Sequence, residues 1–279
     1  MQSSFAYETT ESGLMPPTAQ NAVPPLALRG QRGAYTAPAL EKGLDIIELL
    51  AGADRPMSTR EIADQLGRSK GEIFRMVFVL VERGYLKRDA VSDELTLSNR
   101  LFELGMRTPR PRTLIEEAVP AMERLCDQTG QSAHLVVVNA GETVVIATTT
   151  GSADISFTLK LGYRRAALDA TSGKIIMAFQ DPARRARMIE EGLAAARKPV
   201  DRAALERLLD EIAGRGFQVA ESHDVVGVTD IGAPILSRQG RAIAAIVVPC
   251  LARHGAAAPH ERVLALVRQT CETISEALK

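Results

Sequence analysis

A short polar segment at residues 69–75 combines side chains that can contact DNA bases and phosphates. Ser69, Lys70 and Glu72 fall in the first turn of a predicted helix, and Arg75 lies one turn further along. An Arg guanidinium matches the O6 and N7 atoms of guanine, and a carboxylate accepts a hydrogen bond from the N4 amine of cytosine. The N–H groups at a helix N-terminus favour phosphate. The segment is therefore typical of a helix that enters the major groove, and the alternative is the solvated polar face of an ordinary helix.

Capping signals place this segment on the second helix of a tight helix-turn-helix pair. The pairs Ser58/Glu61 and Ser69/Glu72 each form a capping-box pattern, and Gly67 ends the first helix. Unrolled at about 100° per residue, the second helix has an apolar face that must be core, with the arginine almost opposite. That face consists of Ile73, Met76, Val77, Leu80 and Val81. The pair is typical of DNA-binding proteins, although bundles that do not bind DNA also contain it.

The charge around this pair is locally basic, while the whole chain has 34 basic and 34 acidic residues and no net charge. A neutral chain is not a general polyanion binder, so any DNA contact must rest on local charge. Residues 68–88 hold two acidic and six basic residues, which are Arg68, Lys70, Arg75, Arg83, Lys87 and Arg88. Segments 85–88 and 94–97 predict two short strands around a polar turn. This wing would turn Lys87 and Arg88 toward phosphates, and the alternative is a solvated hairpin.

Length and composition predict a globular protein of two domains. The chain has 279 residues, of which 46% are hydrophobic and 24% charged. Its three cysteines, Cys126, Cys250 and Cys271, are scattered, which favours free thiols in a reducing compartment. No signal peptide is predicted, and the longest apolar run, 242–252, is too short to span a bilayer. We therefore expect a cytoplasmic protein.

The chain divides into four predicted parts. Residues 1–36 have the composition of a disordered tail, 37–98 form the winged helix-turn-helix domain, 99–113 form a linker helix, and 114–279 form the second domain. The first helix is predicted at 38–51, with one apolar stripe made of Leu40, Leu44, Ile47 and Leu50. The linker is expected to be helical to Arg107 and then broken by Pro109 and Pro111, before a helix at 114–129.

The second domain is predicted to be α+β, with a mostly antiparallel sheet covered by helices. Segments 134–138 and 144–149 are β-branched runs joined by a turn at 139–142. Further strands are predicted at 155–159, 217–221, 231–236 and 243–248, and helices at 171–179, 182–191, 201–213 and 259–278. The helix that begins at Thr171, Ser172 and Gly173 offers backbone N–H groups to a carboxylate. The alternative is an ordinary helix N-terminus.

The order and spacing of several short motifs, from Pro38 to the C-terminus, resemble the IclR family of bacterial transcriptional regulators. In the first domain and linker the motifs are Lys42–Leu50, Glu61–Ala63, Glu82–Leu86 and Leu101–Gly105. In the second they are Ser172–Lys174, Arg215–Phe217, Gly227–Val228 and Ala233–Ile235. The resemblance implies a winged-helix domain, a dimerising linker helix and a GAF-like domain that binds a small effector. It implies a ligand-responsive, DNA-binding regulator, expected to repress a catabolic operon as a homodimer or pair of dimers, with no cofactor.

The resemblance also implies an effector pocket around the helix that begins at Thr171. Asp230 matches a pocket-lining position, where its carboxylate would suit a ligand hydroxyl or amine. The expected apolar walls are Ile155, Phe157, Val247 and Pro249. The expected ligand is a small organic acid with a hydroxyl or a ring, such as an aromatic or sugar-derived acid.

Three departures from the family pattern bear on specificity. Lys70-Gly71-Glu72 stands where Lys-Ser-Thr is usual, which should change the base preference and leave Glu72 mainly as a cap. The wing lacks its usual glycine. Val247-Val248-Pro249 replaces a Ser-x-Ser segment that bonds the ligand, so one side of the pocket should be apolar and a very small keto acid is disfavoured.

Other classes of function remain as alternatives. The main one is a small-molecule-binding or hydrolytic enzyme domain with a helical N-terminal module that does not bind DNA. Residues 168–175 superficially resemble a phosphate loop, but Leu168 replaces the first glycine and Ile175 follows the lysine. A zinc site would need Cys250, His254 and His260, which are loosely spaced. A module that binds only other proteins is the last alternative, and a second copy of this chain is the favoured partner.

Overall fold

The computed structural model describes residues 37–279 except 154, 197, 198, 224 and 252–259, and omits the side chains of residues 106 and 109–112. The predicted tail, 1–36, lies outside the described residues. The chain forms two compact units that divide between Leu97 and Ser98.

The first unit is a winged helix-turn-helix, which confirms the predicted fold. It contains α1 (Pro38–Ala51), α2 (Thr59–Leu66), α3 (Lys70–Glu82), β1 (Leu86–Arg88) and β2 (Leu95–Leu97). The two strands pair antiparallel as the wing. Its core is formed by the buried side chains of Ile46, Leu50, Met57, Ile62, Ala63, Ile73, Val77, Leu86 and Leu95.

The predicted apolar stripe of α1 is wrong at its N-terminal end. Ile46 and Leu50 are buried, whereas Leu40 is 63% and Leu44 48% exposed. The buried face of α1 is rotated toward α3, so that Lys42 reaches a carboxylate on that helix. The contact between α1 and α3 therefore determines which face of α1 is buried, and the spacing of the apolar residues alone does not.

The second unit begins with α4 (Arg100–Met106) and α5 (Pro109–Thr129). The prediction that Pro109 and Pro111 break the helix is wrong, because both lie in the first turn of α5. Backbone N–H groups in a first turn have no partner within the helix, so proline is tolerated there. The break lies at residues 107–108 instead, and the predicted linker, 99–113, contains α4 and the start of α5.

A six-stranded sheet forms the centre of the second unit. Its strands are β3 (Ala133–Asn139), β4 (Glu142–Thr149), β5 (Arg164–Ala166), β6 (Gln218–Glu221), β7 (Val228–Leu236) and β8 (Ala242–Leu251). They lie in the order β5-β4-β3-β8-β7-β6, and every neighbouring pair is antiparallel. The predicted 139–142 turn joins β3 to β4, with left-handed backbone at Ala140 (φ 51°) and Gly141 (φ 79°).

Helices cover both faces of this sheet. One face packs against α5 and α9 (His260–Ala277), and the other against α6 (Thr171–Ala178), α7 (Pro182–Ala195) and α8 (Arg202–Arg215). Side-chain alternation along β8 separates the two faces. Ile246 and Val248 join the α5/α9 core, Ala245 packs toward α6, and Val247 and Pro249 line a cavity.

All three cysteines are buried free thiols. Within the described part of the chain, no helix combines the length and apolar character needed to cross a bilayer.

Candidate functional site

The N-terminus of α3 is held by a complete capping box and a cross-helix ion pair. The Ser69 hydroxyl accepts from the Glu72 amide at 3.4 Å, and Glu72 Oε2 accepts from the Ser69 amide at 3.3 Å and hydroxyl at 2.9 Å. Glu72 Oε1 accepts from Lys42 Nζ on α1 at 2.6 Å. The bond from Lys42 and those from Ser69 lower the pKa of Glu72 to about 2. Both carboxylate oxygens are thus engaged within the protein.

The same device holds α2, which precedes the turn. Glu61 receives hydrogen bonds from Arg55 at 2.6 Å and from the Ser58 amide at 2.8 Å, and these bonds lower its pKa to about 2. Gly67 ends α2 with left-handed backbone (φ 61°), which reverses the chain into α3. These local signals fix the angle at which α3 leaves the turn.

The outer face of α3 carries positive charge. Ile73 and Val77 are fully buried, and Arg75 lies on the opposite, exposed side. Lys70, in the first turn, is also exposed, and neither cation has an ion pair within the described residues. These two predicted contacts are therefore available to a ligand outside the protein.

The other predicted DNA contacts are partly engaged. Arg68 lies 3.9 Å from Asp45, and Arg88 donates to Asp93 at 2.7 Å. Exposed pairs of this kind are weak and exchange readily for phosphate. Lys87 on the wing is exposed, and Asp93 adopts φ 60° in the turn that lacks the usual glycine.

A cavity of about 90 Å³ lies between the sheet of the second unit and the N-terminus of α6. Six of the eight predicted effector contacts line it, namely Phe157, Thr171, Ser172, Asp230, Val247 and Pro249. The structure therefore brings these six residues together around one cavity. Two residues, Ile155 and Gly173, lie elsewhere.

Ile155 is outside the cavity lining and is 63% exposed. The predicted strand at 155–159 is absent from the sheet, so ladder pairing does not fix this side chain. Side chains hold the segment instead: the Leu159 amide donates to His134 Nε2 at 2.9 Å, and Thr158 Oγ1 lies 2.8 Å from Ser132 Oγ. Only its later part reaches the cavity, at Phe157 and Leu159.

Gly173 has a packing role rather than a place in the cavity wall. A Cβ at this position would lie 2.1 Å from the carbonyl oxygen of Ala167. The missing side chain allows the first turn of α6 to lie directly against the backbone that follows β5. Gly173 therefore sets where Thr171 and Ser172 sit.

A carboxylate already lies beside the N-terminus of α6. Thr171 Oγ1 donates to Asp230 Oδ2 on β7 at 3.2 Å. The positive end of the helix dipole stabilises this charge, as it would a ligand anion. An anionic ligand at the α6 N-terminus would therefore lie close to the carboxylate of Asp230.

Five polar residues of the lining were not predicted from the sequence, namely His134, Thr143, Tyr163, Arg165 and Ser222. His134 could have been found from strand register, because it pairs with Val247 across β3 and β8. Arg165 lies on β5, a strand of three residues that carries no apolar pattern. Arg165 therefore adds a cation to the lining of the cavity that also contains Asp230.

His134 is buried, and burial lowers its pKa to about 4. Its Nε2 accepts the Leu159 amide, so the neutral ring carries its proton on Nδ1. Protonation would break this bond, which holds the 155–159 segment to β3.

We expect stability to fall in acid because of His134. The unfolded chain, with a His pKa of about 6.5, takes up the proton first, so this contribution is full above pH 6.5 and is lost as pH falls toward 4. The loss should be about 3 kcal/mol. Urea unfolding of wild type and His134→Gln at pH 7 and pH 4.5 measures it. Equal pH dependence in the two proteins would contradict the assignment and point to the carboxylates.

Within the described residues, no three His, Cys, Asp or Glu side chains lie close enough to hold a metal ion. His254, one of the three residues considered for zinc, lies outside the described part of the chain.

Comparison with known proteins agrees with this arrangement. The model of the IclR helix-turn-helix domain matches residues 39–90, and that of the bacterial transcriptional regulator IclR C-terminal domain matches 110–276. The chain is similar to the HTH-type transcriptional regulator BhcR of Paracoccus denitrificans, with 28% identity over 75% of this chain and 76% of that protein. It is also similar to the glycerol operon regulatory protein of Streptomyces coelicolor, with 26% identity over 86% and 95% of the two chains.

Solved structures share the fold. An IclR homolog from Microbacterium hydrocarbonoxydans, complexed with 4-hydroxybenzoate, matches with a TM-score of 0.72 and 24% identity over 86% of this chain and 98% of that one. The Thermotoga maritima IclR matches with a TM-score of 0.63 and 25% identity over 86% and 98%.

A winged helix-turn-helix joined to an α/β domain with a cavity defines a DNA-binding transcription regulator that responds to a ligand. The chain belongs to the IclR family of bacterial transcriptional regulators. Membership of this family makes the chain a DNA-binding regulator of transcription.

Proposed function

We propose that this regulator represses a catabolic operon as a homodimer that binds an inverted-repeat operator, and that a small organic acid controls this binding. The operator contact is supported above all by the exposed cationic face of α3, opposite its buried core. In a helix-turn-helix, that face and the first turn enter the major groove. Two recognition helices in a dimer would read two half-sites.

The proposed DNA contacts fall into two groups. Arg75 and Lys70 read base edges, while Lys87, Arg68 and Arg88 bind phosphates, the latter two by exchanging their carboxylate partners. Ser69 and Glu72 act through the capping box that orients α3. Both carboxylate oxygens of Glu72 already accept hydrogen bonds within the protein, so we do not assign Glu72 a contact with cytosine.

The effector is proposed to be an acid that also carries a hydroxyl or an amine. Arg165 supplies the positive charge for the acid, together with the N–H groups of Thr171 and Ser172. Asp230 lies beside that N-terminus and would repel the carboxylate of the ligand. The ligand carboxylate therefore needs a cation nearby, which Arg165 provides. Asp230 then accepts from the ligand hydroxyl or amine, while Phe157 and Val247 provide apolar walls.

The size of the cavity favours a compact ligand. Its volume of about 90 Å³ is smaller than the roughly 150 Å³ of an engineered apolar cavity that binds benzene. A ring-bearing acid would have to displace a side chain of the cavity wall such as Phe157, which lies in a segment outside the strands of the sheet. We therefore favour a compact hydroxy or amino acid over an aromatic one.

Selection of bound duplexes from a random DNA pool tests the proposal. An inverted repeat should be enriched, and its affinity should fall steeply with salt because phosphate contacts release counterions. Acids with and without a hydroxyl or amine are then added to the complex, and fluorescence anisotropy reports the change in DNA binding. The active acids should raise the melting temperature of the wild type, and Arg165→Met should lose both effects.

Asp230→Asn is the matched variant, because it keeps the size of the side chain and removes its charge. It should keep the response to plain acids and weaken the response to amino acids. Enrichment of no sequence at moderate salt would exclude the DNA contact. Stabilisation only by neutral or cationic compounds would exclude the acid effector.

A further inference from the structure

Two large aromatic side chains lie exposed on α3, on the part of its surface between Lys70 and Arg75. Phe74 is 51% and Phe78 57% exposed, although the helix has a well-formed core on its other side. They are four residues apart and therefore neighbours on the helix surface. A single exposed apolar residue needs no explanation, but a pair on a recognition helix does.

The first turn of α3 leaves room for these rings to approach another surface. Gly71, one turn before Phe74, has no heavy atom within 4 Å of where a Cβ would stand. The surface of α3 is therefore unobstructed at Gly71, and the exposed rings of Phe74 and Phe78 follow along the helix. Lys70 and Arg75 flank this surface and give it positive charge.

The chemistry of this face fits one base in particular. Thymine alone places a methyl group in the major groove, and apolar side chains contact it there. Because the cations beside the rings match a polyanion, DNA explains the whole face, whereas an apolar protein partner would leave Lys70 and Arg75 unpaired. We propose that Phe74 and Phe78 contact thymine methyl groups and make thymine a specificity determinant of the operator. This inference rests on the proposed DNA-binding function.

Replacement of thymine by uracil isolates the proposed contact, since it removes the methyl group and keeps base pairing. In the selected duplex, each thymine is replaced in turn and binding is measured by anisotropy at fixed salt. Uracil at a contacted position should weaken wild-type binding about fourfold, the value expected for one buried methyl-sized group. Phe74→Ala should abolish this roughly fourfold difference between thymine and uracil at one position of the duplex, and Phe78→Ala should abolish it at another. Phe74→Leu, which stays apolar, should retain most of it.

Leu44→Ala is the control for loss of an exposed apolar side chain, because Leu44 lies on α1 and is 48% exposed. It should leave every thymine-to-uracil ratio unchanged. Thermal unfolding should show all variants folded, as expected for exposed positions.

Three results would overturn the inference. If the wild type binds its duplex but tolerates uracil everywhere, the phenylalanines do not read methyl groups, and the proposed regulator function stands. If the alanine variants keep the uracil ratios but change the sedimentation of the protein, this face contacts a second copy of the chain. If no duplex is bound at all, the regulator function fails together with this inference.

Discussion

Replacing Gly173 by alanine is expected to lower the free energy of unfolding by about 3 kcal/mol or more. The new Cβ would stand 2.1 Å from the carbonyl oxygen of Ala167 and 2.7 Å from its carbonyl carbon. Both neighbours are backbone atoms, and Ala167 is fully buried, so no side chain can rotate away. The first turn of α6 would have to separate from the backbone after β5.

Urea denaturation measures this loss, with Gly214→Ala as the matched control. Gly214 lies within α8, and a Cβ there would meet no atom within 4 Å. Alanine favours the helix over glycine, so this control should be neutral or more stable by up to about 1 kcal/mol. A Gly173→Ala protein as stable as the control would show that α6 can shift without cost. The position of Thr171 and Ser172 would then not depend on this close contact.

Structural features that are determined by neighbouring residues were predictable from the sequence. Both capping boxes were predicted correctly, because Ser58/Glu61 and Ser69/Glu72 interact within one helical turn. The hairpin turn before Glu142 was also predicted correctly, since it needs only two residues with left-handed backbone. Capping boxes and tight turns can be predicted because the residues that form them are close together in the sequence.

Features that depend on distant partners were predicted less well. Leu40 and Leu44 share the apolar spacing of α1, but the Lys42–Glu72 pair and the α3 core determine which face is buried. Gly173 has the sequence of a ligand-binding helix start, yet its role comes from a backbone six residues away. Arg165 was missed because the short strand β5 is defined only by its pairing with β4. Ile155 was misplaced because side-chain bonds from Ser132 and His134 hold its segment.

Replacing Arg75 by alanine is expected to weaken binding to the selected operator by about 1–3 kcal/mol, roughly fivefold to 150-fold. Arg75 is exposed on the side of α3 opposite Ile73 and Val77, and its loss should leave folding unchanged. A guanidinium that forms two bonds to guanine rejects the other bases, so the variant should also tolerate changes at one position of each half-site.

Two control variants separate base reading from simple attraction. Arg75→Lys keeps the charge but cannot form the paired bonds of a guanidinium, so it should resemble Arg75→Ala in its relaxed base preference. Lys87→Ala removes an exposed wing cation and should weaken all duplexes about equally, while lowering the salt dependence by about one counterion. If Arg75→Ala instead behaves like Lys87→Ala, Arg75 binds phosphate. Base discrimination must then come from other exposed groups of α3, of which Phe74 and Phe78 are the nearest candidates.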